Sequence, residues 1–237
     1  MEFTDAIILK ITPYNDTQKI ISAFGAETGY ISFIASSGGR KGREMSQIMQ
    51  IAEIEYIKNT KGGLNKIVSI SSKIVTTNIY YSVFKMNIAL LWGEILVILL
   101  KKEEKNERMY DFIEKSVEYL NYSENDFSNF NLFFLFKLNT LLGFEIDTST
   151  YKDGYLFDIN GGVFVEKRPL KETYIAGVNT AAIIYKLCTV RLQELVDIPL
   201  SGKSRSKLLD IVLLYYSLHL NTDFNTKGIK VLREIFN

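Results

Sequence analysis

Over the first 78 residues the apolar positions come in short, partly alternating runs divided by turn residues. Ala6-Ile7-Ile8-Leu9-Lys10-Ile11 is β-branched and meets the cluster Thr12-Pro13-Tyr14-Asn15-Asp16, where proline has no amide to give a ladder. Lys19–Phe24 reads as a second strand and Tyr30–Ala35 as a third, with Glu27-Thr28-Gly29 as the reversal of a hairpin. Ile48–Lys58 alternates in part, and Asn59-Thr60-Lys61-Gly62-Gly63 turns it into Ile67–Val75. Glu44–Met49 is the one stretch between them compatible with a helical turn. Five closely spaced antiparallel strands fit a small closed barrel, which removes the edges that a flat sheet would expose.

After Tyr80 the period changes. Val83, Met86, Leu90, Val97 and Leu100 recur near 3.6-residue spacing, and helical pattern continues through Tyr110–Tyr122 and Phe127–Leu142. Asn129–Leu142 is apolar almost all round, as in a helix buried on most sides, and Gly143 marks its stop. Residues 151–169 break the pattern: Asp153-Gly154 and Asn160-Gly161-Gly162 flank Tyr155–Phe157 and Val163–Val165 in a hairpin-like excursion. Thr180–Cys188, Ser204–Leu220 and Lys227–Phe236 resume helices, with Ser201 and Ser204 as candidate caps. The expected class is α+β, with a five-stranded barrel over residues 1–78 and a helical domain over 79–237 that carries the insert 151–169.

Composition narrows the function. The 237 residues hold 28 Lys+Arg against 27 Asp+Glu, so affinity for a polyanion must come from local clustering. Residues 1–79 carry 9 cations against 7 anions, 80–200 carry 13 against 17, and 201–237 carry 6 against 3. The ends are mildly basic and the middle is acidic. One cysteine, Cys188, and one histidine, His219, exclude a disulfide framework, a thiolate metal cage and a His-rich centre. No cofactor is expected. Met86–Leu100 falls short of the ~20 residues of a bilayer span and contains Glu94, so it reads as a core helix with no membrane partner. The acidic start with its short apolar run is no signal peptide, and the cytoplasm, with association to the nucleoid, is the expected compartment.

The chain has no P-loop, no G-x-G-x-x-G opening a helix, no G-x-S-x-G and no H-E-x-x-H. His219 sits among helical aromatics and Cys188 between Leu187 and Thr189, which are structural settings, so no enzyme is expected. The positive signal is Gly38–Arg43, where Arg40, Lys41 and Arg43 lie among glycines that let backbone approach a phosphate. A solvated loop that binds nothing is the plainer alternative. Lys10 and Lys19 on the strands extend this set. Lys203, Arg205 and Lys207 form a second basic stretch at a helix start, where the dipole favours anions. Its plainer alternative is a solvated helix face.

These residues, in this order, resemble the bacterial recombination mediator family RecO. Ala6–Lys10 leading into Thr12-Pro13-Tyr14-Asn15-Asp16-Thr17 is similar to the family's opening strand and Arg-Pro-aromatic turn. Phe24, Glu27, Gly29 and Ile31 match its next step, and Ala35 with Gly38–Arg43 its basic loop. Leu141-Leu142-Gly143-Phe144 resembles the helix end before the family's insert. Tyr215, Tyr216 and His219, with Lys227 and Val231-Leu232, resemble its C-terminal helix pair.

The resemblance implies an N-terminal OB-fold and a helical domain, binding of single- and double-stranded DNA, and strand annealing. It also implies work with RecR and the C-terminal tail of single-stranded-DNA-binding protein (SSB) to load a recombinase. Many members hold zinc with four cysteines in the helical domain, but residues 151–169 contain neither Cys nor His, so zinc is not carried over. Apolar packing around Phe157, Val163 and Phe164 is expected in its place. Gly228 replaces the serine usual after Lys227, Thr12 the arginine before Pro13, and Ser36 and Ser37 the lysine that opens the basic loop. Lys137 is the candidate contact for the SSB tail. Two readings compete with DNA binding: an interaction adaptor with a structural barrel, and an RNA-binding OB module.

Overall fold

Alternating inward side chains close the amino-terminal strands into a barrel. The computed structural model describes residues 1–36, 46–124, 127–170 and 173–224, with the backbone alone at Ser128. The strands are β1 (Glu2–Asn15), β2 (Gln18–Gly25), β3 (Gly29–Ser36), β4 (Ile51–Ile57) and β5 (Asn65–Ser72). Their order is β1-β2-β3-β5-β4, closed back onto β1. All neighbours pair antiparallel except β3 and β5, which meet in parallel through Phe33 with Asn65 and Ile34 with Lys66. The interior is Ala6, Ala23, Phe33, Ala52, Ile54 and Tyr56 at one level and Ile8, Ile21 and Ala35 at the next. Phe33 and Tyr56 meet edge to face, with ring centroids 5.2 Å apart. Ile67 and Ile70 both pack on this core although three residues apart, because the β4–β5 register slips between Glu55 and Tyr56.

The first strand runs beyond the expected turn at Thr12. It continues through Pro13 to Asn15, with Pro13 opposite Lys19. β4 pairs with Glu2–Ile7, so among the described residues Pro13 has a strand neighbour on one side only, the edge setting in which proline is found. Ser46–Gln50, the described part of the possible helical stretch, is an irregular turn with Met49 in the left-handed region at φ 64°.

Chain contacts divide the molecule into two compact units, Met1–Tyr122 and Ser123–Asn237. Beside the barrel, the first contains α1 (Thr77–Tyr81), α2 (Val83–Leu100) and α3 (Glu107–Tyr122). The change from strands to helices falls between Ser72 and Thr77. Helix α2 is apolar on every side and has the length and composition of a membrane span, yet 56% of that stretch is buried. The 3.6-spaced positions face inward only in part: Leu100 is fully buried and Val97 half-buried, while Val83, Met86 and Leu90 are exposed and Ile88, Leu91, Trp92, Ile95 and Leu96 form the buried face. Gly93 decides the orientation, since a Cβ there would overlap the Leu9 carbonyl oxygen of β1. The buried Lys85 ammonium donates to the Asn121 carbonyl in the last turn of α3, at 3.0 Å.

The second unit contains α4 (Phe127–Leu141), α5 (Val178–Thr189) and α6 (Gly202–Leu220), with a small sheet of β6 (Leu156–Asp158), β7 (Val163–Val165) and β8 (Ile175–Ala176). Gly143 follows α4 with φ +82°, the left-handed conformation that ends many helices. The Tyr216 hydroxyl donates to the Leu135 carbonyl at 2.6 Å, tying α6 to α4. Tyr215 likewise donates to the Phe144 carbonyl at 2.8 Å. In the insert, Phe157 and Phe164 are buried with ring centroids 5.1 Å apart, and Tyr151 stacks on Tyr185 at 4.0 Å. Aromatic packing thus fills the insert. The helix expected over Lys227–Phe236 lies outside the described residues.

Two outcomes follow from this packing. Replacing Gly93 with alanine gains up to about 1 kcal/mol of helix propensity but forces α2 off β1 at a cost of about 1–3 kcal/mol. The thermal midpoint should fall, and a raised midpoint would show that α2 does not touch β1 so closely. Burial, the largest cause, pushes the Tyr215 phenol up to about 12, and that of Tyr216 also well above its ordinary value. The folded state therefore keeps protons that the unfolded chain releases near pH 10. Stability should be level below about pH 10 and fall as pH rises through about 12. Urea midpoints that match at pH 8 and pH 11 (about one unit above the ordinary phenol value) would contradict this.

Candidate nucleic-acid interface

The barrel positions its cations by strand register. Ser22 faces Lys10 across the β1–β2 ladder, and Lys19 lies three residues before Ser22 on a regular stretch of β2. Side chains alternate along a strand, so Lys10 and Lys19 project from opposite faces. Lys10 is exposed on the outer face. Lys19 shares the face of Ile21 and Ala23 and stands at the end of the barrel interior, half-buried. Its Nζ donates to the Ser46 hydroxyl at 3.1 Å, and burial lowers its pKa from the ordinary lysine value.

Arg40, Lys41 and Arg43 lie outside the described residues, but both flanks of their segment are defined. Ser36 ends β3 opposite Gln18, and Ala35 is the register partner of Lys19. On the far side, Ser46 accepts from Lys19, Met49 donates its amide to the Ile8 carbonyl, and Ile48 accepts from the Tyr80 hydroxyl. The two flanks of residues 37–45 therefore both converge on Lys19. The residues that flank this glycine-rich segment with three cations thus lie beside a fourth.

The second basic stretch divides in the structure. Ser201 caps α6 by accepting from the Ser204 amide at 3.1 Å, which places Lys203 and Lys207 four residues apart and exposed. They border a cleft of about 240 Å³ between the first turns of α5 and α6, with Asn179, Thr180, Ser201 and Ser204. Lys207 donates to the Thr180 hydroxyl at 3.1 Å. Arg205 points elsewhere: one of its guanidinium nitrogens donates to the Leu200 carbonyl at 2.6 Å, and burial lowers its pKa. Two lysines at converging helix starts attract anions through charge and through unsatisfied amides.

Lys137, on α4, turns inward. Its ammonium donates to the Cys188 carbonyl in the last turn of α5 and sits 5.5 Å from the Phe133 ring centre. A cation suits that helix end, so the bond joins the two helices. Burial pushes the Cys188 thiol up to about 12, a value at which thiolate is scarce at neutral pH. Sequence reasoning missed Ser46 and Thr180, the hydroxyls that hold Lys19 and Lys207. Each lies 27 positions from its lysine, so no local pattern reveals it.

Comparison with known proteins agrees with this architecture. Residues 1–74 match the family described as "Recombination protein O N terminal", and residues 81–151 match "Recombination protein O C terminal". The chain is similar to the DNA repair protein RecO of Phocaeicola vulgatus, with 29% identity covering 100% of both chains. It is also similar to the RecO proteins of Christiangramia forsetii (29%, covering 98% of each) and Azobacteroides pseudotrichonymphae (24%, covering 99% of this chain and 98% of the other). A closed five-stranded OB barrel followed by helices, matched by both halves of one family and by relatives along the full length, places this chain in the RecO family of DNA repair proteins, which act in recombination.

Proposed function

We propose that the protein is a recombination mediator that binds single- and double-stranded DNA, anneals complementary strands and, with RecR, loads recombinase onto SSB-coated DNA. It acts in the cytoplasm at the nucleoid and makes or breaks no covalent bond. The observation that carries the reading is the convergence of both flanks of residues 37–45 on Lys19. A strand passing that end of the barrel meets Lys19, Arg40, Lys41 and Arg43, with Lys10 on the outer face. Lys203 and Lys207 provide a second anion-attracting patch on the helical unit, with Arg205 nearby in sequence. Neutralising phosphates on two strands lowers their mutual repulsion, and contacts to the backbone leave the bases free to pair. Binding is then insensitive to sequence.

One observation favours the adaptor reading. Phe84 is 53% exposed and Tyr81 88%, beside the exposed Val83, Met86 and Leu90. Apolar surface of this kind marks contact with other proteins. A gel shift with poly(dT) at low salt separates the readings: a retarded complex supports mediation, and its absence leaves the adaptor. Tighter binding to ribo- than to deoxy-oligonucleotides identifies an RNA-binding module.

The salt dependence gives a sharper outcome. Five phosphate contacts, from Lys10, Lys19, Arg40, Lys41 and Arg43, correspond to a log–log slope of about −3.5 on single strands. Changing Arg40, Lys41 and Arg43 together to alanine should weaken binding to every sequence and reduce the slope to about −1.4. An unchanged slope removes residues 40–43 from the interface.

A further inference from the structure

The first unit holds a cleft of about 260 Å³ whose lining begins at Gln47, the residue after the Ser46 that Lys19 contacts. One side is the turn Ser46–Gln50, and the other is the link from β5 into α1, with Ser72, Val75, Thr76 and Tyr80. Both sides are held in place by hydrogen bonds. Tyr80 donates to the Ile48 carbonyl at 3.0 Å, and Met49 gives its amide to Ile8 at 2.6 Å. On α3, Asn121 donates to the Val75 carbonyl at 3.1 Å and accepts from the Ile79 amide at 3.3 Å. The cleft is therefore preformed.

Among the described residues no side chain lining it is charged, which disfavours a phosphate, a carboxylate or a metal ion as occupant. Gln50 is 7% exposed, and its carbonyl oxygen accepts from the Gln47 amide at 3.0 Å. That bond fixes the Gln50 amide group in the wall of the cleft. Tyr80 adds a ring, Val75 an apolar wall, and Ser72 and Thr76 hydroxyls. Directional donors and acceptors, an aromatic ring and the absence of charge suit a neutral heteroaromatic group. The volume lies below the roughly 300 Å³ at which pockets for drug-sized ligands begin, so it suits a single ring system. The cleft starts at Gln47, next to the Ser46 that Lys19 holds, so a cation for the adjoining phosphate is already placed.

We infer that this cleft takes one unpaired nucleobase, unstacked from a single strand whose phosphates pass Lys19. The base edge bonds to Gln50 and Gln47 while its face lies against Tyr80 and Val75, the mode by which flipped and single-stranded bases are held. The inference rests on the DNA-binding reading above and adds a site that touches base rather than backbone.

The test compares oligo(dT) with an abasic oligomer of equal length, by fluorescence anisotropy with the full chain. Val75→Trp fills the cleft from a position that is 64% exposed, so the fold accepts it. Gln50→Leu removes the donor. Each should weaken binding of oligo(dT) by about tenfold, the effect of losing one stacked base, and leave binding of the abasic oligomer unchanged. Equal loss on both oligomers, or loss on neither, overturns the base site while DNA binding stands. If the unaltered protein binds neither oligomer, the DNA-binding reading falls and this inference with it.

Discussion

The structure depends on closure of the barrel, and closure rests on a narrow contact. Phe33 with Asn65 and Ile34 with Lys66 are the parallel pairs that join β3 to β5. Without them two strands would keep open edges and the levels of Ala, Ile and Phe inside would face water. Closure also fixes where β3 ends. Ala35 lies opposite Lys19 and Ser46 accepts from its ammonium, so both flanks of residues 37–45 meet at one cation.

A nearly neutral protein can grip a polyanion only by such local arrangement. Ion pairs occupy several other cations of the first unit: Lys73 meets Asp5 at 2.5 Å, and Lys105 meets Glu27 at 2.6 Å and Glu107 at 3.0 Å. Lys58 lies 3.8 Å from Glu2. These pairs explain why a count of charge by segment gives only a faint signal. In the second unit, contacts with carbonyl oxygens direct Arg205 and Lys137 inward, while Lys203 and Lys207 stay at the surface.

The strands were legible because each apolar run is short and bounded by turn residues, and the helices because their runs are long. The faces were harder to read. In α2 every side is apolar, so a 3.6-residue stripe through Val83, Met86 and Leu90 fits as well as the buried stripe through Ile88, Leu91 and Ile95. The missing Cβ of Gly93 breaks that tie only once Leu9 is known to lie beneath it. Pro13 marked a turn, yet among the described residues β1 has a strand neighbour on only one side there, and such an edge accepts proline. For the candidate site, the cations were visible as residue types. The hydroxyls and the turn at Met49 that arrange them were not, because contacts from distant parts of the chain set them.

Hydrogen–deuterium exchange of the full chain, with and without saturating oligo(dT), tests the central claim most directly. Slowed exchange should centre on residues 18–20 and 46–50, where both flanks of the basic segment meet β2. Protection confined to the helical unit, or no change in the barrel at all, would contradict it.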